Sequence, residues 1–291
     1  MNRLPHDPVI VSYARSPLGK YGGILRDFRP DEMLAMVLDE TLKRAHIESQ
    51  DLAEVIAGCA NQAGEDNRNV ARMAQLLARF PVSCSAITLN RLCASGLDAA
   101  IYAARLIALK EAKVVLASGV ESMTRAPLVM AKASAPFKLG APETHDSSLG
   151  WRFFNENMRS ITPPEPNGVT AERLAEQFSI SRTRQDQFAL LSHQRAIWAH
   201  NENLLKKEIM GFPILKNGET TLLDRDEGPR NDTSLSQLEK LKASFVKDGT
   251  VTAGNSSPLS DGAAALTITS HEYANAHGLK PLARIIGFAQ A

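Results

Sequence analysis

Residues 86–100, AITLNRLCASGLDAA, decide the fold and the chemistry of this chain. A strand pattern over 86–89 gives way to a helix pattern that begins at Ala94, and Cys93 lies at the junction. The start of a helix carries partial positive charge and unpaired backbone N–H groups, which stabilise a thiolate relative to a thiol. The small residues that follow the cysteine leave room for a substrate carbonyl. The stretch therefore predicts Cys93 as an activated thiol.

The alternative for any free cysteine is an inert, buried side chain, because free cysteines are among the most buried residue types. Cys59 and Cys84 lie in apolar stretches, and we interpret both as core residues. The three cysteines have no paired metal-ligand spacing. Their odd number, in a sequence without a signal-peptide pattern, predicts reduced thiols inside a cell. The histidines of the middle segment also lack such spacing, so we expect no metal site. They are His145, His193 and His200.

Strand and helix patterns alternate on both sides of this stretch. Strands are expected at 8–12, 54–58, 113–118, 262–268 and 283–288, and helices at 31–44, 70–80 and 272–277. Alternating elements of this length predict an α/β layered fold with a mostly parallel sheet.

The pattern loosens between residues 119 and 249, where prolines and short helix patterns dominate. Thr170 and Ser181 are predicted helix N-caps in this part. A long elaborated segment in a compact domain is more often functional than a linker. We therefore expect an inserted, substrate-facing loop domain at 121–249. The N-terminal α/β domain is expected to comprise residues 1–120 and 250–278.

The composition is that of a globular protein with no strong global charge. Lys and Arg number 33 and Asp and Glu 32, so no net charge attracts nucleic acid or an anionic membrane. No window approaches roughly 18 consecutive apolar residues, the length that a membrane-spanning helix needs. The N-terminus lacks the apolar core of a signal peptide and an Arg-rich presequence. A cytoplasmic protein without nucleic-acid or membrane partners is expected.

Residues 88–96, TLNRLCASG, resemble the acylation motif of thiolases, the coenzyme A dependent enzymes that make or cleave 3-oxoacyl thioesters. Three further stretches agree, namely RSPLGKYGG at 15–23, GVESMTRAP at 119–127 and TAGNSS at 252–257. Residues 58–72, GCANQAGEDNRNVAR, are similar to degradative members, in particular 3-oxoadipyl-CoA thiolases of aromatic catabolism. The resemblance implies a thiolase-like layered fold, with a mixed, mostly parallel sheet and helices on both faces.

The resemblance also implies an activity and a set of site residues. The expected reaction converts acetyl-CoA and acyl-CoA to CoA and 3-oxoacyl-CoA, or the reverse, through an acyl thioester on Cys93. Ser257 resembles the family's contact to the pantetheine of CoA, and Arg230 the residue near the nucleotide end. Ala253 and Phe245 match positions that line the same channel. No resident cofactor is implied, because CoA and acyl-CoA are substrates.

Two of these residues have ordinary alternatives. Arg230 lies in a charged stretch, 226–232, where a solvated ion pair is common. Ser257 precedes Pro258 and is also typical of a turn. Because these residues match the family's positions together with Cys93, the functional interpretation is favoured.

Other motifs of the family do not occur in these 291 residues. They are a Gly-His-Pro motif, a second cysteine that acts as acid and base, and an Asn-Glu-Ala motif. We therefore expect an N-terminal portion of a thiolase, in which 279–291 begin a second α/β domain that is largely missing. A homo-oligomer, or a separate chain that supplies the other half, is the expected partner. Ala94 and Pro166-Asn167 depart from frequent family residues and leave the acyl preference open.

Three other functions are alternatives to a thiolase for this sequence. One is a non-catalytic acyl-CoA-binding or assembly protein derived from a thiolase, because the acid and base motifs are absent. Another is a condensing enzyme similar to ketoacyl synthases, which also acylate a cysteine at a helix start. A cysteine hydrolase is disfavoured, since no histidine lies close to Cys93 in the sequence.

Overall fold

A computed structural model of the chain describes residues 4–133, 135–137, 139–216 and 218–290. These residues pack as two compact units. Unit 1 comprises the described residues up to Arg125, Leu205–Glu227 and those from Ser260 onward. Unit 2 comprises Ala126–Leu204 and Gly228–Leu259, again within the described residues.

The strands in chain order are β1 (Pro8–Arg15), β2 (Gly19–Lys20), β3 (Glu54–Gly58), β4 (Ser85–Leu89), β5 (Val114–Ser122), β6 (Leu128–Met130), β7 (Thr144–Asp146), β8 (Phe212–Lys216), β9 (Glu219–Leu223), β10 (Ser260–Ser270) and β11 (Ala283–Arg284). The α-helices are α1 (Pro30–Ala45), α2 (Val70–Leu77), α3 (Ser95–Ala108), α4 (Asn167–Gln177), α5 (Arg182–Asn201), α6 (Leu235–Leu238) and α7 (His271–Ala276). Each element predicted for unit 1 is present, with ends that shift by a few residues.

The main sheet of unit 1 has the strand order β11-β1-β10-β5-β3-β4, and β2 pairs with β10. Strands β4, β3 and β5 are parallel, whereas β10 is antiparallel to both β5 and β1. The α/β layered fold with a mixed sheet is confirmed, but the sheet is less parallel than the alternating pattern predicts. The chain leaves β5 at Ser122 and returns beside the same residue at Asp261, so β10 must run back along β5.

Helices cover both faces of this sheet, as predicted. Successive residues of a strand point to opposite faces, and β3 follows this rule. Val55 belongs to the apolar core formed with α1 and α2, while Ile56 belongs to the core formed with α3. The first core contains Met33, Leu34, Val37, Leu38, Val70 and Ala74, and the second contains Ala99, Ala103 and Ile107. The first residues of α3 are thereby set against the ends of β3 and β5.

The boundaries of the two units differ from the inserted domain expected at 121–249. Residues Leu205–Glu227 lie inside that expected insertion but pack with unit 1. Arg15 of β1 explains this placement, because its side chain donates to Glu208 at 2.9 Å and to Asp226 at 2.7 and 2.9 Å. These ion pairs hold the segment against the first strand of the sheet.

Residues 250–259 show the opposite difference, since they pack with unit 2 and not with the sheet. Glu172 of α4 accepts hydrogen bonds from the backbone N–H groups of Thr250 and Val251. Residues 279–290 belong to unit 1, where β11 pairs with β1.

Unit 2 contains α4, α5, α6 and the hairpin of β6 and β7. The predicted N-cap of α5 is confirmed, because the Ser181 side chain accepts from the N–H of Arg184 at 3.4 Å. The predicted cap at Thr170 is wrong. Helix α4 begins at Asn167, and its N-cap is Pro166, four residues before Thr170. The extended backbone of Pro166 leads directly into the helix. Among the described residues, none of the helices has the length and apolar character needed to cross a membrane.

Candidate active site

Cys93 lies between the end of β4 and the start of α3, so the predicted strand-to-helix turn is confirmed. The helix begins at Ser95, one residue later than the pattern predicts, with Ala94 as its N-cap. The thiol of Cys93 is exposed, whereas Cys59 and Cys84 are each 1% exposed. Cys93 is therefore the accessible thiol of the described chain, and the interpretation of the other two as core residues is confirmed.

Side chains on either side of Cys93 hold this turn. The Ser95 hydroxyl accepts from the N–H of Arg91 at 2.8 Å and donates to the carbonyl of Leu92 at 2.6 Å. The Arg91 guanidinium forms an ion pair with Asp98, one turn into α3. The Asn90 side chain accepts from the N–H of Leu92 at 2.9 Å. The residues next to the cysteine are thus fixed before any substrate is bound.

Glycines let the start of α3 approach the sheet closely. A β-carbon on Gly58, the last residue of β3, would lie 2.6 Å from the carbonyl oxygen of Ser95 and would overlap the next peptide group. Real β-carbons do not approach other atoms so closely, so only glycine fits at this position. A β-carbon on Gly119 of β5 would meet its nearest neighbours at 3.4 and 3.6 Å, which is ordinary contact.

Two acidic residues, the buried Asp66 and the partly buried Glu121, lie beside the Cys59 thiol at the end of β3. The Glu121 carboxylate accepts from the N–H groups of Ala60 at 2.8 Å and Asn61 at 3.2 Å. The Cys59 thiol lies 3.5 Å from an oxygen of Asp66 and 3.8 Å from one of Glu121. Burial raises the pKa of Glu121, of Asp66 and of the Cys59 thiol above their usual values. No sequence pattern indicated a role for these carboxylates, although Glu121 lies within the motif at 119–127.

In unit 2, Ala253 and Ser257 are both exposed on the loop that follows residue 250. The loop closes on itself, because Asn255 accepts from the N–H of Thr252 at 2.7 Å and Ser256 donates to the Thr252 carbonyl at 2.7 Å. The predicted pantetheine contacts therefore stand on a preformed loop.

Two acidic residues that the sequence analysis missed anchor this loop to helices. Glu172 accepts from Thr250 N–H, Val251 N–H and the Thr250 hydroxyl at 2.7 to 2.9 Å. Burial opposes ionisation of Glu172, but these donors hold its pKa below the usual value. Asp186, 1% exposed, accepts from the Asn255 amide at 2.9 Å and from Arg182 at 2.8 Å. Neither carboxylate has a sequence spacing that would have identified it.

Phe245 lies beside the same loop, because the N–H of Ser244 donates to the Val251 carbonyl at 2.9 Å. Its ring lies over Gly168 of α4, where a β-carbon would overlap the ring atoms. Phe245 is 42% exposed. The structure thus brings the segments of Phe245, Ala253 and Ser257 together.

Arg230 lies on a separate segment of unit 2. Its N–H donates to the Nδ1 atom of His193 on α5 at 3.2 Å, and its guanidinium pairs with Asp232 at 3.2 Å. The side chains of both partners are more than 60% exposed. The solvated ion pair that the sequence analysis considered is present, and the Asp232 bond raises the pKa of Arg230 further. The guanidinium is accessible to an anion.

The comparisons with known proteins agree on one family. The family model of the thiolase N-terminal domain matches residues 8–272. A 3-oxoadipyl-CoA/3-oxo-5,6-dehydrosuberyl-CoA thiolase of Escherichia coli K12 is 49% identical over 280 residues, which are 95% of this chain and 69% of that protein. A beta-ketoadipyl-CoA thiolase of Pseudomonas aeruginosa is 46% identical over 283 residues, which are 97% of this chain and 70% of that protein.

Two solved structures are similar over nearly the whole chain. The Bacillus anthracis acetyl-CoA acetyltransferase has a TM-score of 0.88 and 36% identity, and the match covers 98% of this chain and 71% of that one. Human mitochondrial 3-ketoacyl-CoA thiolase has a TM-score of 0.88 and 34% identity, with the same coverage.

Proposed function

The chain belongs to the thiolase family of acyltransferases, and on this basis we propose that Cys93 carries the acyl group in a degradative thiolase reaction. The observation that supports the proposal most is the exposed Cys93 thiol on a turn fixed by its neighbours. A thiol held in this exposed position can act as the nucleophile of an acyl transfer.

The proposed reaction has two covalent steps. The Cys93 thiolate attacks the 3-keto carbon of a 3-oxoacyl-CoA, and the bond between carbons 2 and 3 breaks. Its electron pair stays on carbon 2, so acetyl-CoA leaves as an enolate that takes up a proton. The thiol of a second CoA then attacks the acyl thioester, which releases acyl-CoA and restores the Cys93 thiolate. The proton that this thiol loses balances the one that the enolate gains.

The substrate that we propose is a 3-oxoacyl-CoA of the 3-oxoadipyl type. Relatives named for 3-oxoadipyl-CoA or beta-ketoadipyl-CoA, at 49% and 46% identity, support this choice. Ser257, Ala253 and Phe245 are proposed to contact the pantetheine arm of CoA, and Arg230 its nucleotide end. The exposed position of all four residues is compatible with these roles.

A homo-oligomer is part of the proposal. Strand β4 ends the main sheet at one edge, directly before the Cys93 turn. An edge strand presents unpaired N–H and C=O groups to another chain. Pairing of two copies at this edge would bury residues next to both cysteines. Sedimentation of the purified chain tests this, and the cytoplasm remains the predicted location.

Intact mass after incubation with acetyl-CoA tests the proposed nucleophile. We expect one acetyl group on the wild-type chain and none on Cys93→Ser, because Cys59 and Cys84 are buried. An adduct that persists in Cys93→Ser would contradict the proposal. CoA binding without any adduct would instead support the alternative, a non-catalytic acyl-CoA-binding protein.

Thiolysis assays test the proposed substrate. In thiolysis assays of the purified protein, 3-oxoadipyl-CoA should be cleaved faster than acetoacetyl-CoA. The opposite order would contradict the 3-oxoadipyl assignment and leave the acyltransferase assignment intact.

A further inference from the structure

Leu92, the residue directly before Cys93, has a left-handed backbone with a φ of 50°. Residues with a β-carbon rarely adopt this backbone conformation, so surrounding bonds must hold Leu92 in it. The backbone of Leu92 sets the direction in which the chain presents Cys93. Whatever holds Leu92 therefore positions the thiol.

The Asn90 side chain bonds in two directions from this turn. Its Oδ1 atom accepts from the N–H of Leu92 at 2.9 Å. Its Nδ2 atom donates to the carbonyl of Ala60 at 3.0 Å, thirty residues earlier in the chain. The first bond is local and would form in many turns. The second joins the turn to a different part of the unit and therefore fixes its place.

Ala60 is itself held from the sheet. Its N–H donates to Glu121 of β5 at 2.8 Å, and the next N–H, of Asn61, donates to the other oxygen of the same carboxylate at 3.2 Å. Glu121 is partly buried, and a carboxylate that accepts two backbone N–H bonds from neighbouring residues holds that backbone in place. A continuous series of hydrogen bonds thus runs from Glu121 through Ala60 and Asn90 to the backbone before Cys93.

We propose that Asn90, anchored through Ala60 by Glu121, is a positioning residue for Cys93. Asn90 does not touch the reacting atoms. It keeps Leu92 in the left-handed conformation that places the Cys93 sulfur at the start of α3. The inference rests on the proposed function of Cys93 as nucleophile.

Alkylation of Cys93 by iodoacetamide tests the positioning without requiring acyl transfer. Iodoacetamide reacts with accessible thiols, so the rate of alkylation reports how the turn presents the Cys93 sulfur. In Asn90→Ala we expect alkylation to be about fivefold slower than in the wild type, because the turn no longer holds the sulfur in its exposed position. Asn275→Ala, an exposed asparagine of α7 in the same unit, is the matched control and should react at the wild-type rate.

A second substitution separates positioning from a general loss of structure. Glycine adopts positive φ without steric cost, so Asn90→Ala combined with Leu92→Gly should react within about twofold of the wild type. A purely structural defect would not be recovered in this way. Alkylation of Asn90→Ala at the wild-type rate or faster, or a slower rate that Leu92→Gly does not restore, would overturn the inference.

A measurement on the wild-type chain covers the case in which Asn90→Ala does not fold. The Leu92 amide should exchange with deuterium about tenfold or more slowly than in an unstructured peptide, because Asn90 accepts its hydrogen. Exchange at the unstructured rate would overturn the inference. If the wild-type chain is not acetylated but Asn90→Ala is still alkylated more slowly than the wild type, the proposed function fails and the positioning role of Asn90 stands. The two failures are therefore distinguishable.

Discussion

The last residue of β3, Gly58, lies against the backbone of Ser95, the first residue of α3, with no space for a side chain between them. This contact lies two residues after Cys93 and sets the distance between the start of α3 and the sheet. The position of the candidate nucleophile therefore depends on a strand more than thirty residues earlier, and not only on its own turn.

Gly58→Ala is predicted to displace the start of α3 and slow the reaction of Cys93. The new methyl group would overlap the Ser95 peptide, so backbone must move, and moved backbone costs about 1–3 kcal/mol of stability. We expect a lower melting temperature and slower acetylation of Cys93. Gly119→Ala is the matched control, because its β-carbon would meet neighbours only at 3.4 Å and beyond. Equal effects of both substitutions would contradict the prediction.

Gly168→Ala is predicted to weaken binding of CoA through Phe245. A β-carbon at this buried position of α4 would overlap the Phe245 ring, so the ring must leave its place beside the loop. Titration calorimetry with CoA should show a weaker affinity. Gly228→Ala, in the same unit, has open space around its β-carbon and should bind CoA as the wild type does. Unchanged affinity in Gly168→Ala would remove Phe245 from the proposed CoA contacts.

Local patterns predicted most elements of unit 1 and the Cys93 turn, because strand and helix periodicity and the small residues after the cysteine are visible within a few positions. The direction of β10 was not predictable in this way. It depends on the chain returning to the same end of the sheet after residues 123–259. The left-handed backbone of Leu92 was also hidden, since leucine gives no sign of positive φ.

The anchors of the candidate site were missed for a related reason. Glu172 and Thr250 are 78 residues apart in sequence, and Asn255 and Asp186 are 69 apart. No spacing rule connects carboxylates on helices to a loop at such separations. The sequence alone did indicate the exposed ion pair of Arg230, because its acidic partner lies only two residues away.

Glu172→Gln is predicted to destabilise the loop that carries Ala253 and Ser257. The glutamine Nε2 group would face the N–H of Thr250, so at least one hydrogen bond is lost and the chain loses about 1–2 kcal/mol of stability near neutral pH. Glu176→Gln, an exposed position on the same helix, is the matched control.

The pH dependence of this destabilisation follows from the pKa of Glu172. Its hydrogen bonds lower that pKa in the folded chain, so the stabilisation is complete above the unfolded pKa of about 4.3. It is lost as the pH falls through the lower folded value. The difference in free energy of unfolding between wild type and Glu172→Gln should therefore shrink below about pH 4. A difference that grows in acid would contradict the assigned bonds.

Glu121→Gln is predicted to show the opposite pH dependence. Burial, together with the nearby charge of Asp66, raises the pKa of Glu121 in the folded chain. The folded state then binds more protons than the unfolded state, so the wild type loses stability as the pH rises from about 4.3 to the folded value. Glutamine does not ionise, so the variant lacks this pH dependence. The free energy of unfolding of Glu121→Gln, measured with urea, should therefore rise relative to that of the wild type as the pH increases through this range. A difference that does not change with pH would contradict the raised pKa of the carboxylate.

Arg230→Ala is predicted to weaken binding of CoA without changing the stability of the chain. Its ion pair with Asp232 is exposed, and exposed pairs contribute little to folding. The guanidinium is proposed to contact the phosphates of the nucleotide end, so the affinity for CoA should fall about fivefold in the variant. This loss should be smaller at high salt, because salt screens the charges. Affinity for pantetheine, which lacks the nucleotide, should not change. Arg184→Ala, an exposed arginine of α5, is the matched control. If pantetheine and CoA lose affinity equally, Arg230 acts on the pantetheine arm or through the loop, and its assignment to the nucleotide end is wrong.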